Sequence, residues 1–256
     1  LISGEPGIGK TVLAEVLTAE AVERGAGVSW ARAPETAGAP PYWLWTQTVR
    51  NLITAGYPAE LRVHLARVPE LTRLLPELAY LLGDTPISAD SGETEAGRFR
   101  LADGIASTLL EAGARRCRAV VLDDLHAADR ASLEVLAHVT SRLGQGALLI
   151  VGTYRATAED LTPALQQLLA AAAQKQITLR IELGGLDEVA VRGLLARVTG
   201  REVPADFADR VRARAAGNPF FVGEIGKLLL HEGDRAGTSV TRVPPRVRDV
   251  LTWRLS

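Results

Sequence analysis

The segment Gly4-Glu5-Pro6-Gly7-Ile8-Gly9-Lys10-Thr11 constrains this chain more than any other. It fits G-x-x-x-x-G-K-[ST] in full. A short apolar run, residues 1–3, precedes it, and a stretch over 10–24 comes after it with apolar side chains at helical spacing: Val12, Leu13, Val16, Leu17 and Ala21. The spacing has a physical reason. Glycines let the backbone curl until successive N–H groups point at one anion, and the next helix presents its positive end to the same place. All eight residues are therefore candidates for binding the phosphates of a nucleotide. Lys10 is expected at the β- and γ-phosphates, and Thr11 is expected to place its hydroxyl on Mg²⁺.

A second stretch completes this chemistry. Ala119-Val120-Val121-Leu122-Asp123-Asp124 reads as an apolar strand ending in two carboxylates. Asp123 is expected to hold the Mg²⁺ shell. Asp124 is expected to orient and activate a water for attack on the γ-phosphate. An Asp reaches less far than a Glu, so slow hydrolysis is expected. An acidic strand-to-loop junction is also common in parallel sheets, and the Gly-rich loop is what favours the catalytic reading. Of the three lysines, Lys175 and Lys227 lie outside the loop and neither sits in an N/T-K-x-D motif, so ATP is expected rather than GTP.

The rest of the chain supplies the frame. Strands are expected over 28–33, 118–122, 147–154 and 177–183, alternating with helices, which indicates a parallel α/β sheet. One strand separates the loop strand from the acid strand, which fits a three-layer α/β/α P-loop NTPase with strand order 5-1-4-3-2. Helices are expected over 42–55, 58–68 and 70–82, the last broken by Pro76, then over 94–112, and from an N-cap at Asp129 to about 143. A further helix is expected over 161–174. After Gly184-Gly185 every periodic stretch is helical: 187–198, 205–216, 219–232 and 245–255. Three parts are thus expected: an ATPase core over 1–184, a small helical lid over 185–240, and the start of a winged-helix or linker segment over 241–256.

Composition narrows the function classes. The net charge of −1 argues against a broadly basic nucleic-acid-binding surface. A single cysteine, Cys117, allows no internal disulfide and no Cys-rich zinc site. No apolar run approaches the roughly 18 residues of a membrane span, and no secretory leader is expected. A cytoplasmic location is expected. The short basic groups at Arg98 and Arg100, at Arg210, Arg212 and Arg214, and at Arg242, Arg246 and Arg248 read as solvated helix faces. The absence of Met and a start inside a strand suggest a piece of a longer protein.

Four segments occur together in order: Gly4–Thr11, Val120–Asp129, Gly152-Thr153-Tyr154-Arg155 and Gly217-Asn218-Pro219-Phe220. In combination they resemble the signal-transduction ATPases with numerous domains, the STAND branch of the AAA+ class. The module looks most similar to that of large ATP-binding transcriptional regulators of the LuxR type. The resemblance implies that Arg155 is a sensor arginine reading the γ-phosphate, and that Pro219 is a lid proline near the adenine or ribose. A surface ion pair is the plain alternative for Arg155. A helix corner, with Gly217 as C′ residue, Asn218 as N-cap and Pro219 at N1, is the plain alternative for Pro219. The implied activity is that of a slow ATP switch, with ATP/ADP and Mg²⁺ as cofactors. Its implied partners are further copies or other domains of the same chain, and DNA only through a domain outside these residues. Two alternatives stand beside it: a nucleotide-binding scaffold without hydrolysis, and the same module fused to a cyclase or kinase.

Overall fold

The computed structural model describes residues 1–34, 39–54, 59–82, 94–144 and 147–236. The expected segment over 241–256, the helix at 245–255 and the basic group Arg242, Arg246 and Arg248 lie outside them. The described chain divides into two compact units. One comprises Leu1–Ser3 and Thr11–Ile181. The other comprises Gly4–Lys10 together with the residues from Glu182 onward, so the Gly-rich loop groups with the C-terminal helices. No described helix is long and apolar enough to cross a membrane.

The described strands form one five-stranded sheet. Its strands are β1 (Ile2–Gly4), β2 (Gly27–Arg32), β3 (Arg118–Asp123), β4 (Leu148–Tyr154) and β5 (Ile181–Leu183), in the order β2-β3-β4-β1-β5. Counted from the other edge this is 5-1-4-3-2, the order expected from the sequence. The pairs β2–β3, β3–β4 and β4–β1 are parallel. Register decides which side chains meet at the strand ends. Arg32 lies opposite Asp123, Leu122 opposite Gly152, and Thr153 opposite Ile2. Three strand ends thus arrive at one level of the sheet, carrying Arg32, Asp123 and Thr153.

Helices α1 (Lys10–Glu23), α2 (Trp43–Thr54), α3 (Ala59–Ala66), α4 (Leu71–Leu74), α5 (Glu77–Leu82), α6 (Glu95–Arg115), α7 (Arg130–Ser141) and α8 (Pro163–Ala173) accompany the sheet. Pro76 separates α4 from α5 as expected, because proline cannot donate to the preceding turn. Local chemistry sets several starts. Thr94 caps α6 through the Gly97 N–H, and Thr162 caps α8 with Pro163 in its first turn. Asp129 does more than cap. Its carboxylate accepts from the Ser132 N–H at 2.8 Å and from the Tyr42 N–H at 3.1 Å. The Trp45 indole N–H donates to the Ser132 carbonyl at 2.9 Å. The entry to α2 is therefore bonded to the first turn of α7, and Trp45 is fully buried in the core they share.

One strand is shorter than its alternation implies. Residues 177–183 carry apolar side chains at every second position, yet only Ile181–Leu183 is strand. Ile177 and Leu179 stay exposed, so their alternation reflects no buried face.

The second unit has its own core. Helices α9 (Glu188–Thr199), α10 (Ala205–Ala215) and α11 (Pro219–Ala236) pack around Val191, Leu195, Phe207, Val211, Val222 and Ile225. Asp187 caps α9 through the Ala190 N–H, and Gly200 closes it in a left-handed conformation. Two of the arginines expected on a solvated face are paired within α10: Arg210 with Asp206, and Arg212 with Asp209.

These contacts have two measurable consequences. Asp129→Ala removes a cap and an inter-helix bond together, and should lower unfolding free energy by roughly 1–2 kcal/mol in chemical denaturation. The second concerns pH. Burial pushes the His64 imidazole below its ordinary value of 6.5; Glu111 opposes this, while Arg67 and Arg115 reinforce it. The Thr108 hydroxyl donates to the Gly104 carbonyl at 2.8 Å, which leaves its oxygen to accept from His64 Nε2, 3.3 Å away. On acidification the unfolded chain takes up this proton first. The contribution is complete above 6.5 and is lost as pH falls from there through the lower folded-state value. Melting temperatures of His64→Gln should therefore fall less steeply than wild type as pH drops below 6.5.

Candidate functional site

The first unit holds a carboxylate cluster at the end of β3. Asp123 is 1% exposed and Asp124 5%. Charges this buried persist only with close partners. Thr153, itself fully buried, serves both residues: its hydroxyl donates to Asp123 Oδ1 at 2.6 Å and accepts from the Asp124 N–H at 3.0 Å. The Thr11 hydroxyl donates to the Asp123 carboxylate, 3.2 Å from both oxygens. Arg32, the last residue of β2, supplies the cation. Its Nε and a terminal nitrogen each lie 2.9 Å from Asp124 Oδ2, and Nε lies 3.6 Å from Asp123 Oδ2.

Successive strand residues point to opposite faces, so two adjacent carboxylates would ordinarily diverge. Here the strand ends in a left-handed turn at Asp124, with φ 62° and ψ 48°. That conformation costs a non-glycine residue about 1 kcal/mol and is tolerated best by Asp and Asn. It turns Asp124 back so that one guanidinium reaches both acids. A three-residue 3₁₀ turn, Leu125–Ala127, comes directly after it.

The donor set suits a hard divalent cation. A hydroxyl and a carboxylate oxygen are Mg²⁺ ligands, and Mg²⁺ typically takes one or two protein oxygens and completes its octahedron from phosphates and water. Among the described residues no group of three His, Cys, Asp or Glu side chains could enclose a metal unaided. Thr11 and Asp123 therefore fit a metal that arrives with phosphate.

The second unit holds the Gly-rich loop. Gly7 and Gly9 have φ of 75° and 104°, a region that L side chains rarely adopt. A Cβ at Gly9 would meet open space, whereas one at Gly7 would lie 2.8 Å from Phe220 Cβ. The buried Lys10 ammonium donates to the Gly4 and Glu5 carbonyls, each at 3.0 Å. Asn218 Nδ2 donates to the Pro6 carbonyl at 2.9 Å, and the Phe220 N–H donates to the Gly7 carbonyl at 3.3 Å.

The expected residues thus fall into two groups. Thr11, Asp123 and Asp124 converge in the first unit. Gly4, Glu5, Pro6, Gly7, Ile8, Gly9 and Lys10 form the loop of the second, and Pro219 opens α11 in that same unit, between two residues bonded to the loop. Arg155 is the residue after the end of β4 and is half-buried. Three contributors are not evident from the sequence. Arg32 and Thr153 join the acids only through strand register. Asn218 is legible as a helix cap but not as a partner of the loop.

The profile of the AAA ATPase domain matches residues 1–151. No curated protein sequence matches the chain. Among solved structures, the chain is similar in fold to a Signal Transduction ATPase with Numerous Domains (STAND) protein with a tetratricopeptide repeat sensor from Pyrococcus horikoshii. That match has 14% identity and a TM-score of 0.50, and covers 100% of this chain and 30% of the other, so this chain spans under a third of its length. A RuvB point variant from Thermotoga maritima matches at 12% identity and TM-score 0.48, over 99% of this chain and 61% of its own. Domain III of the Thermotoga maritima replication initiation protein DnaA matches at 14% identity and TM-score 0.48, over 99% of this chain and 82% of its own. The profile match spans more than half of the chain and contains the loop, Thr11 and both carboxylates, and on that ground the chain belongs to the AAA ATPase domain family of nucleotide-binding modules.

Proposed function

We propose that this chain is an ATP-binding switch module that hydrolyses ATP slowly within a multidomain signalling or transcriptional regulator. The observation that carries the reading is the Thr11–Asp123–Thr153 hydroxyl and carboxylate cluster, reached by the residue next to the loop lysine in the chain. Loop residues 4–10 hold the phosphates through backbone N–H groups and Lys10. Thr11 and Asp123 hold Mg²⁺. Bound ATP·Mg²⁺ supplies the electrophilic phosphorus, and Asp124 accepts the proton of the attacking water. Arg155 reads the γ-phosphate and Pro219 lies near the base or ribose, as the family resemblance implies. The core over 1–184 and the lid over 185–240 change arrangement between ATP and ADP, and differential contacts with the two nucleotides drive the change. Self-association and the other domains of a LuxR-type regulator carry the output, in the cytoplasm, with DNA contacted outside these residues.

Slow turnover has a second support besides the short reach of an Asp. Arg32 engages the Asp124 carboxylate from two nitrogens, both on Oδ2, and a carboxylate oxygen so occupied has to be released before it can orient a water. Its side chain is 63% exposed, so water competes for it and release is cheap. The same contact favours the alternative of a nucleotide-binding scaffold without hydrolysis.

Two measurements separate the readings. Lys10→Ala should weaken ATP binding by at least about 100-fold in calorimetric titration, the scale of a lost charge-assisted contact of roughly 3 kcal/mol. Unchanged affinity sinks the site assignment. Phosphate release by the wild type should be slow, and Asp124→Asn should lower it by about 100-fold or more, as expected when a general base is removed. Arg32→Gln should raise it several-fold. No release from either the wild type or Arg32→Gln favours the scaffold.

A further inference from the structure

The Gly-rich loop has an unusual arrangement of its carbonyls. Those of Gly4 and Glu5 are held by the Lys10 ammonium, that of Pro6 by Asn218 Nδ2, and that of Gly7 by the Phe220 N–H. Four consecutive carbonyls are therefore drawn to donors within their own unit. A trans peptide is planar and its N–H points opposite to its C=O. Fixing the Pro6 carbonyl on Asn218 thus fixes the direction of the Gly7 N–H, on the side away from Asn218. Anion-binding loops require this arrangement, with N–H groups on the ligand side and carbonyls turned off it.

The donor side of the contact is rigid. Asn218 is 1% exposed. Its Oδ1 accepts from the Phe220 N–H at 3.1 Å, its N–H donates to the Ala215 carbonyl at 2.9 Å, and its carbonyl accepts from the Val222 N–H at 3.0 Å. The turn before it runs through left-handed Ala216 and Gly217, with φ of 49° and 69°. The Gly217 carbonyl accepts from the Leu186 N–H at 2.8 Å, and a Cβ on Gly217 would lie 2.5 Å from the Leu186 carbonyl oxygen. Every polar atom of the Asn218 side chain is thus committed, one side to the helix and the other to the loop.

We propose that Asn218 is a positioning residue for phosphate binding: through the Pro6 carbonyl it holds the Gly7 N–H turned to the anion. This rests on the nucleotide reading for the ligand, but not for the loop geometry. Two substitutions separate this role from plain helix capping. In Asn218→Ser a hydroxyl still caps α11, carries no charge and is too short to reach Pro6. In Asn218→Asp the cap acceptor stays and an oxygen replaces the donor that faces the Pro6 carbonyl. Titration with ADP and Mg²⁺ should show affinity reduced about tenfold or more in both. Thermal unfolding without ligand should shift by only a few degrees. Hydrogen exchange of the ligand-free protein should be faster at residues 4–10 and unchanged in α9 and α10. Wild-type ADP affinity in Asn218→Ser, or unchanged exchange at residues 4–10, overturns the proposal. If the wild type binds neither ATP nor ADP, the nucleotide reading falls. The exchange rates at residues 4–10 then still decide whether Asn218 sets the loop: acceleration upholds that role and no change overturns it.

Discussion

Asp123 sits at the end of a central strand with 1% of its surface exposed, and a carboxylate so placed has to be met by donors. The surrounding strands are arranged around that requirement. β4 brings the Thr153 hydroxyl, α1 brings the Thr11 hydroxyl, and β2 brings Arg32 to the same level. Removing one such donor leaves a buried acceptor short at a cost of about 1–3 kcal/mol. Register is correspondingly restricted. A slip of one residue in β2 would turn Arg32 to the opposite face, and the same slip in β4 would replace Thr153 by Gly152 or Tyr154.

Two carboxylates meet the guanidinium of Arg32. The two acids are unequal. Asp123 is met by two hydroxyls and only loosely by Arg32, whereas Asp124 takes the close ion pair. Adjacent residues of one type thereby acquire different environments. The divergence originates in a single left-handed residue, which lets the second acid leave the strand direction.

Much of this is legible in the sequence wherever the relevant chemistry is local. The loop is contiguous, the Asp129 cap needs residues only three apart, and Pro76 breaks a helix by itself. Sheet order comes from counting strands between the loop and the acids. What is not legible depends on chain segments meeting. Arg32 is an ordinary strand-end arginine until β2 lies beside β3, and 91 residues separate it from Asp123 only along the chain, not in the sheet. Thr153 lies two residues before the more conspicuous Arg155, yet the threonine is the residue that touches both acids. The alternation over 177–183 misleads for the opposite reason: a local pattern of period two has no consequence where no face is buried.

The bond between Asn218 and Pro6 joins residues 212 positions apart. Contacts so distant along the chain form only after the intervening sequence exists and has collapsed. During synthesis the eight-residue signature emerges before the turn that bonds its Pro6 and Gly7 carbonyls, which lies some two hundred residues later. The bonds of Asn218 and Phe220 to the loop can form only once that turn is present. Until then the loop lacks those two bonds, and a ligand that favours the bonded loop stabilises the completed chain by mass action.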